Sequence, residues 1–275
     1  MDNKQIGNII MKKRKELNFT QHELADMLNI SFQAVSKWEN GVSLPDILLL
    51  PKLAKILETS VDALLGYSSE VFADYEERYR SEEYYWGLKP NNLCFEIMKL
   101  MPPDRPYRVL DMGCGEGKDA VFLARNGYLV SAFDIADAGL EKAKKLADIN
   151  GTHVDFFKAD ITDFRPEKMY DIIFCSGVFH FLFPDVRKEF VSQLKEHTNA
   201  GGLNVINVFV DKPFIERAPD YEVKKESRAE WLSGELFMLY HDWYLKQSDE
   251  VVFDCFSGGV PHQHCMDIMI AEKVV

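Results

Sequence analysis

Strands and helices alternate along the second half of the chain, and this alternation limits the possible folds more than any other feature. Apolar runs with strand character cover residues 107–111, 128–134, 153–159, 170–176 and 203–210. Segments with helical periodicity separate these runs. The alternation predicts an α/β fold with a doubly wound, mostly parallel sheet. After residue 211 it ends, and two closing strands are predicted at 243–255 and 265–275.

The start of the chain has a different character and predicts a separate, all-α domain. Thr20 and Glu23 have the spacing of a capping box, so a helix is expected to begin at Thr20. Asn29 is expected to end that helix, and Gly41 fits the position after the end of the next one. Three segments are therefore predicted: a helical domain at 1–66, a charged and aromatic connector or lid at 67–90, and the α/β domain at 91–275.

The two helices that span residues 20–41 have the length and tight connection of a helix-turn-helix. Several residue types recur there at fixed spacing: Thr20, Gln21, Leu24, Ala25, Val35, Ser36, Trp38, Glu39 and Gly41. In these residues the segment 4–66 resembles the Cro and phage-repressor family of DNA-binding domains, the xenobiotic-response-element type. The alternative is a helical interaction module that does not bind DNA.

That resemblance implies which side chains would contact DNA. Gln21 would lie near a phosphate, and the residues facing the major groove would be Phe32, Gln33, Ser36 and Lys37. A glutamine can form two hydrogen bonds to adenine and a lysine can reach guanine, so Gln33 and Lys37 are the expected base contacts. Val35 and Trp38 are expected in the core.

Charge is distributed unevenly between the predicted domains. Residues 1–66 contain eight basic and eight acidic residues, so the net charge of −12 belongs to the rest of the chain. An anionic polymer such as DNA would therefore be bound by the first domain. Because phosphate contacts supply much of the affinity for DNA, a neutral domain should bind weakly as a monomer. We therefore expect a homodimer on a palindromic site.

A glycine-rich loop follows the first predicted strand, in the sequence VLDMGCGEGKD at residues 109–119. Its pattern is Asp111-x-Gly113-x-Gly115-x-Gly117. Dinucleotide-binding loops instead space their glycines as GxGxxG, which argues against a nicotinamide-dependent dehydrogenase. Alternating glycines after an acidic residue resemble the Rossmann-like methyltransferases that depend on S-adenosylmethionine.

The resemblance implies that S-adenosylmethionine is bound at the carboxyl ends of the strands. Asp111 would approach the ammonium group of the cofactor, and Asp134, at the end of the second strand, would bind the ribose hydroxyls. Asp160 and Ile161 follow the third strand, where the adenine is expected. The complete set of expected cofactor contacts is Asp111, Gly113, Gly115, Gly117, Asp134, Ile135, Asp160, Ile161 and Ser176.

The acceptor is expected beside the end of the fourth strand, in the stretch FCSGVFHFLFP. Methyl transfer is an in-line displacement that depends largely on positioning, so no strong catalytic motif is required. His180 is either a base or orienting group, or a structural histidine at the strand end. Tyr84, Tyr85 and Trp86 either cover the cofactor and face its cation or form a helix-packing cluster.

Near the C-terminus two cysteines and two histidines come close together in sequence: Cys255, His262, His264 and Cys265. Their spacing matches no standard zinc pattern, and alternation along a strand places His264 and Cys265 on opposite faces. No metal site is therefore predicted, and a site for a soft nucleophile is the alternative. The candidate catalytic residues are His180, His262 and His264.

A closer resemblance covers residues 75–275 in patches. The stretches DMGCGEGKDAVFLARNGYLVSAFDIAD, SGVFHFL and SGEL…HDW…HQH…IAEK resemble the tellurite-resistance methyltransferases. The resemblance implies methylation of a small molecule. That family uses a His-Arg pair near its last strand, whereas this chain has His262, Gln263 and His264 there. Because arginine is the usual bidentate partner of oxyanions, the resemblance does not extend to tellurite as the expected substrate.

Two functional interpretations follow. In the first, the chain binds DNA and methylates a small molecule, and this interpretation allows the two activities to be linked in transcriptional regulation. In the second, it is a transcriptional regulator whose methyltransferase fold senses the cofactor without turnover. Methylation of DNA bases is disfavoured because the Asn/Asp-Pro-Pro-Tyr/Phe motif is absent after the fourth strand. The odd number of scattered cysteines, with no apolar run long enough to span a membrane, predicts a cytoplasmic protein.

Overall fold

A computed structural model describes most of the chain: residues 3–57, 59, 61–64, 70–215, 230–255 and 262–274. The chain divides into two compact units, Met1–Phe72 and Ala73–Val275. The division falls within the predicted connector, of which residues 67–69 lie outside the described part. None of the described helices is long and apolar enough to cross a membrane.

The first unit is built from short helices. They are α1 (Asn3–Glu16), α2 (Gln21–Leu28), α3 (Phe32–Glu39), a 3-10 turn (Ile47–Leu49), α4 (Leu50–Ile56) and α5 (Val61–Leu64). Thr20 caps α2 in a full capping box with Glu23, as the sequence predicts. Asn29 ends α2 in the left-handed conformation, and Gly41, with φ of 72°, follows α3.

The core of this unit is formed by apolar residues from all five of its described α-helices. Val35 and Trp38 of α3 are buried, as expected, and pack with Ile10, Leu24 and Leu53. This packing leaves the opposite face of α3 exposed, so the residues expected at DNA lie on the surface rather than in the core.

The second unit has the predicted α/β architecture. Its helices are α6 (Glu70–Tyr79), α7 (Asn92–Leu100), α8 (Lys118–Arg125), α9 (Asp137–Ile149), α10 (Pro184–Glu196) and α11 (Glu235–Leu239), with a 3-10 turn at Phe179–Phe181. Its strands are β1 (Arg108–Met112), β2 (Leu129–Asp134), β3 (Asp155–Lys158), β4 (Tyr170–Ser176), β5 (Thr198–Val210), β6 (Tyr244–Cys255) and β7 (His262–Glu272).

The described strands form one sheet in the order β3-β2-β1-β4-β5-β7-β6. β1 to β5 are parallel, and β7 runs antiparallel between β5 and β6. The chain moves outward from β1 in one direction to β3 and in the other to β5, so β1 and β4 flank the point where the strand order reverses. Ligands of open α/β sheets bind outside the carboxyl ends of the strands at this point.

Three strands, β3, β5 and β7, differ from their predicted bounds by two or more residues at one or both ends because strand pairing, not hydropathy, determines where they begin and end. β5 begins at Thr198 rather than 203, since Thr198 pairs with Tyr170 ahead of an irregularity that adds extra residues to β5. β7 begins at His262 rather than 265, since His262 pairs with Cys255. The edge strand β3 is shorter than predicted, and its four residues all pair with β2.

Candidate functional site

The glycine loop connects β1 to α8 at the point where the strand order reverses. Gly113, Gly115 and Gly117 all adopt left-handed backbone conformations, with φ of 73°, 53° and 83°. A side chain at Gly113 would also collide with Val178, because its Cβ would lie 2.4 Å from a Val178 methyl group. Only glycine meets both conditions. The alternating glycines therefore form a tightly bent loop whose backbone Val178 approaches closely at Gly113.

The end of β2 holds this loop in place. The backbone N–H groups of Gly113 and Cys114 both donate to the carbonyl of Phe133, each at 2.8 Å. The Asp134 carboxylate accepts the N–H of Gly115 at 2.8 Å and that of Ala136 at 2.9 Å. Burial raises the pKa of Asp134, and these backbone hydrogen bonds partly oppose that rise. Asp134 therefore lies at the predicted place and also organises the loop.

Asp111, at the end of β1, is buried beneath the loop. Its Oδ2 atom has no hydrogen-bond partner among the described residues. Burial, and then repulsion from the nearby Asp119, hold the pKa of Asp111 well above its usual range. A buried carboxylate oxygen without a partner suits a site that receives a cationic or hydrogen-bond-donating group.

A polar network lies at the carboxyl end of β4, around the predicted cofactor residue Ser176. Its hydroxyl oxygen accepts a hydrogen bond from the amide of Asn91 at 2.9 Å and from that of Asn207 at 3.0 Å. Asn207 in turn accepts the N–H of Gly177 at 2.6 Å. Sequence reasoning missed both asparagines, although Asn207 is a polar residue within the apolar strand β5.

The remaining predicted cofactor residues border the same edge of the sheet. Asp160 accepts the N–H and the hydroxyl of Thr162, at 2.9 and 2.8 Å, and so shapes the turn after β3. Ile161 is buried, whereas Ile135, directly after Asp134, is half-buried. The structure thus brings acidic and apolar groups from the ends of β1, β2 and β3 to one edge.

Residues 75–86, which we call the aromatic strap, lie across the glycine loop. A Cβ on Gly115 would come within 2.9 Å of the Tyr79 hydroxyl, which accepts a hydrogen bond from the Trp86 indole at 3.0 Å. Of the predicted aromatic residues, Trp86 therefore does approach the loop. Tyr84 instead places its ring 4.8 Å from the Lys142 ammonium. Sequence reasoning missed Tyr79, the buried aromatic residue nearest to Gly115.

Lys142 of α9 joins the aromatic strap to the loop. Its ammonium group donates to Glu116 at 2.5 Å and to the carbonyls of Ser81 and Glu83 at 3.0 and 2.6 Å. Glu116 is buried and also accepts the N–H of Trp86 at 3.3 Å. One cation thus compensates a buried carboxylate and fixes the strap.

The acceptor side of the site is aromatic. His180 is buried, with its ring 4.1 Å from Phe181 and 5.2 Å from Phe209. Phe209 also contacts His264 edge-on, at 5.0 Å. The terminal methyl group of Met266 lies 4.0 Å from where a Cβ on Gly177 would be. The structure therefore brings the candidate catalytic residues His180 and His264 into contact with the same ring, that of Phe209, close to the end of β4.

His262 and His264 lie side by side on β7, with their Nε2 atoms 2.9 Å apart. Cys255 pairs with His262 across the two closing strands. The ligand-type atoms of these three residues all lie within 4.8 Å of one another. The spacing along the sequence predicted no metal site, but the register of β6 and β7 produces this cluster. Cys265 is buried, and by strand alternation it faces the other side of the sheet.

On the helical unit, the predicted base contacts Gln33 and Lys37 are exposed. Phe32 is 39% exposed and stacks on His22, with ring centroids 4.3 Å apart. Ser36 is half-buried, and its backbone carbonyl accepts a hydrogen bond from Asn40.

Gln21, expected near a phosphate, belongs to a buried polar cluster of the helical unit. Its amide donates to Glu39 at 2.7 Å. Glu39 also accepts two hydrogen bonds from the guanidinium of Arg14, at 2.6 and 2.9 Å. Burial alone would raise the pKa of Glu39, but the hydrogen bonds from Arg14 and Gln21 outweigh it and lower that pKa. One N–H of the Gln21 amide is therefore committed within the protein.

Two family models match the chain. The model described as tellurite resistance protein TehB matches residues 78–256, and a helix-turn-helix model matches residues 10–64. The helix-turn-helix predicted from the capping box and the third helix is confirmed by the second match.

Similar proteins include hemagglutinin 1 of Eikenella corrodens, 31% identical over 61% of this chain and 55% of that protein. The probable S-adenosyl-L-methionine-dependent methyltransferase TehB of Haemophilus influenzae is 28% identical over 46% of each chain. The crystal structure of TehB from Haemophilus influenzae aligns with a TM-score of 0.59 and 21% identity, over 74% of this chain and 66% of that one.

The chain spans about half the length of the curated relatives it matches. The structural similarity shows that the second unit has the Rossmann-like fold found in TehB. The TehB model covers more than half of the 275 residues. The chain therefore belongs to the tellurite resistance protein TehB family, with a helix-turn-helix segment ahead of the TehB region.

Proposed function

We propose that the α/β unit binds S-adenosylmethionine at the glycine loop and transfers its methyl group to a small-molecule acceptor. The observation that carries this proposal is the loop itself, with its three left-handed glycines and the N–H of Gly115 donating to the carboxylate of Asp134 at 2.8 Å. The Haemophilus influenzae relative TehB, a probable S-adenosyl-L-methionine-dependent methyltransferase, supports the same activity.

The residues present fit this cofactor. The partnerless Oδ2 of Asp111 offers a buried acceptor for an ammonium group, and the raised pKa of Asp111 would fall when a cation arrives. Gly113 packs closely against Val178 and carries no side chain, so the loop presents its backbone to a bound molecule. The N-terminus of α8 follows the loop and favours a carboxylate. Asp134 would accept ribose hydroxyls with its remaining lone pairs.

When bound, S-adenosylmethionine supplies an electrophilic methyl group on a sulfonium. The chain has to bind and orient both reactants and exclude water, since positioning supplies much of the rate in such a displacement. Ser176, held by Asn91 and Asn207, would fix the edge of the site at β4. The aromatic strap would exclude water. His180 would orient the acceptor or take its proton.

The test is release of S-adenosylhomocysteine by the full chain in the presence of small thiols, phenols, amines and oxyanions. We expect one acceptor class to give turnover that Asp134→Ala abolishes. Asp148→Ala, which changes an exposed carboxylate of α9, should leave it unchanged. His180→Gln should lower kcat more than it changes KM. Turnover unaffected by Asp134→Ala would refute the assigned cofactor site.

A second candidate is a transcriptional regulator that senses the cofactor without turnover. The helix-turn-helix match at residues 10–64 favours it, because that segment precedes the TehB region in one chain. Cofactor binding without release of S-adenosylhomocysteine for any acceptor class would support this candidate. Acceptor-dependent turnover would eliminate it.

We further propose that the helical unit binds DNA as a homodimer in the cytoplasm. The exposed Gln33 and Lys37 support base contacts, and the balanced charge of residues 1–66 supports pairing of two weak half-sites. The test is selection of binding sites from random duplexes by the full chain. Lys37→Ala should weaken the selected complex about 10-fold, whereas Lys55→Ala, also exposed, should not. Equal effects, or a monomer in the complex by sedimentation, would contradict the proposal.

Coupling between the two activities is a separate proposal, motivated by their union in one chain. The affinity of the full chain for its selected duplex would be measured with and without S-adenosylhomocysteine. A change of about 5-fold or more corresponds to a coupling free energy of about 1 kcal/mol and would support regulation. Equal affinities would refute coupling while leaving both activities intact.

A further inference from the structure

The cluster of Cys255, His262 and His264 has no role in the cofactor site, yet it gathers three strong metal-ligand groups. The Nε2 atoms of the two histidines lie 2.9 Å apart, and all three ligand atoms lie within 4.8 Å of one another. Two imidazole nitrogens this close need a proton or a metal ion between their lone pairs. The backbone pairing of Cys255 with His262 places the ligands on a regular two-stranded ladder rather than on separate loops.

The donor set selects the metal. One thiolate and two imidazoles are borderline-soft ligands, which suit zinc and exclude magnesium or calcium as the preferred ion. With the usual zinc–nitrogen and zinc–sulfur bond lengths, the ligand atoms of a tetrahedral zinc site lie about 3.3–3.6 Å apart. The two Nε2 atoms, 2.9 Å apart, are closer than this, and no ligand atom lies more than 4.8 Å from another. Side-chain rotations that move the ligand atoms by about 1 Å therefore complete the tetrahedral geometry. Three protein ligands leave a fourth position open, as in catalytic zinc sites.

The cluster lies on the acceptor side of the proposed methyltransferase site. His264 touches Phe209, which also touches His180, with ring centroids 5.0 and 5.2 Å apart. On the same face of β7, the terminal methyl group of Met266 lies 4.0 Å from where a Cβ on Gly177, just after β4, would be. Alternate residues along a strand are about 7 Å apart, so the cluster begins about one such step from Met266. The side chains of Phe209 and Met266 thus connect the cluster to the end of β4.

We propose that Cys255, His262 and His264 bind one zinc ion, and that its open position holds a small thiol as the methyl acceptor. Binding to zinc releases the thiol proton to solvent and leaves a thiolate. The thiolate sulfur forms a bond to the methyl carbon while the bond from that carbon to the sulfonium sulfur breaks. The products are a methyl thioether and S-adenosylhomocysteine. The neutral thioether is a weaker zinc ligand than the thiolate, so it leaves.

The choice of a thiol follows from the site. An open zinc position with thiolate and imidazole ligands favours a soft donor, and a coordinated thiol is deprotonated without a separate base. This explains how the acceptor could be activated in a pocket where the rings near His180 are mostly apolar. The acceptor part of the inference rests on the proposed methyltransferase function, whereas the metal part does not.

The metal part is tested by titrating Co²⁺ into the purified full chain and recording its absorption spectrum. We expect one Co²⁺ per chain, with tetrahedral d–d bands and a thiolate charge-transfer band, displaced by one equivalent of Zn²⁺. Cys255→Ser should remove the charge-transfer band, and His264→Ala should weaken binding at least about 10-fold. Cys265→Ala is the matched control, because its thiol lies on the opposite face of the strand, and it should leave the spectrum unchanged.

Absence of the tetrahedral d–d bands in the wild-type chain, or a thiolate charge-transfer band that remains in Cys255→Ser, would overturn the metal site. Circular dichroism of each variant shows whether it has folded, and His262→Gln provides a second, less disruptive ligand change.

The acceptor part is tested on the cobalt-loaded chain with 2-mercaptoethanol as the probe. A new charge-transfer band that requires Cys255, together with zinc-dependent methylation of the probe, is expected. An unchanged spectrum would overturn the thiol assignment. Binding of S-adenosylhomocysteine, measured separately on metal-free protein, distinguishes this failure from failure of the proposed cofactor site.

Discussion

The carboxylate of Asp134 accepts the backbone N–H of Gly115 at 2.8 Å, which joins the end of β2 to the centre of the glycine loop. The same carboxylate accepts the N–H of Ala136 at 2.9 Å. Both donors lie in a buried region, where an unsatisfied amide costs about 1–3 kcal/mol. The loop that is proposed to hold the cofactor is therefore kept in shape by the residue proposed to bind the ribose.

Asp134→Ala is expected to destabilise the protein even without cofactor. It leaves the N–H groups of Gly115 and Ala136 without their acceptor, so the free energy of unfolding should fall by about 1–3 kcal/mol. Chemical denaturation followed by circular dichroism measures the change. Asp148→Ala on the surface of α9 is the control and should change stability by less than about 0.5 kcal/mol. Equal stabilities for the two variants would contradict this account of the loop.

Asp111→Asn is expected to have the opposite effect on the cofactor-free protein. The wild-type carboxylate is buried with a partnerless oxygen, and burial raises its pKa well above the ordinary aspartate value of 3.8. Because the folded state then holds its proton more tightly, the contribution of Asp111 to stability falls as the pH rises through the interval above 3.8. Removing the charge should therefore stabilise the protein by about 1–3 kcal/mol at neutral pH.

The same substitution should give little gain at pH 3.5, where the carboxyl group is already neutral, and it should weaken binding of S-adenosylhomocysteine at neutral pH. Denaturation at the two pH values checks the sign. Asp171→Asn is the contrasting control. Asp171 accepts hydrogen bonds from the N–H of Arg108 and the amide of Asn199, so this substitution should destabilise the protein. A loss of stability in Asp111→Asn at neutral pH would argue against a strained carboxylate.

Gly113→Ala is expected to be more destabilising than a left-handed conformation alone explains. Gly151 has a comparable φ of 60° but open space around its Cβ position, so Gly151→Ala measures the backbone cost of about 1–2 kcal/mol. Gly113→Ala adds a collision with Val178 at 2.4 Å and should cost about 1–3 kcal/mol more. The added change Val178→Ala should recover part of this difference. A double-mutant cycle that shows no coupling would disprove the close approach.

Lys142→Met is expected to release the aromatic strap. The substitution removes the donor to the carbonyls of Ser81 and Glu83 and leaves the buried Glu116 without its cation. Amide hydrogen exchange across residues 81–86 should accelerate about 10-fold or more, which corresponds to about 1.4 kcal/mol of local opening free energy. Lys144→Met, exposed on the same helix, is the control and should leave exchange there unchanged. Unaltered protection in Lys142→Met would show that Lys142 does not hold the strap.

The parts of the site that could be predicted from sequence are those that follow from chain order. Parallel strands end at one edge of the sheet, so Asp111 and Asp134 had to lie near each other once β1 and β2 were recognised. The glycine spacing indicated the bent loop directly. The capping box at Thr20 and the left-handed Asn29 were likewise local signals, and the structure confirms both.

The missed residues depend on packing between distant segments. Tyr79 meets Gly115, and Lys142 meets Ser81, only because the segment before α7 folds back across the loop. No local pattern encodes that path. The grouping of Cys255, His262 and His264 could not be predicted for a different reason: ligand spacing was judged along the chain, whereas the register of β6 and β7 pairs Cys255 with His262.

Calorimetric titration of S-adenosylhomocysteine into the full chain tests the central claim, cofactor binding at the glycine loop, most directly. One saturable site per chain is predicted, with binding weakened at least about 100-fold in Asp134→Ala and unchanged in Asp148→Ala, a difference of about 2.7 kcal/mol. Absence of binding to the wild-type chain, or equal affinity in Asp134→Ala, would contradict the claim.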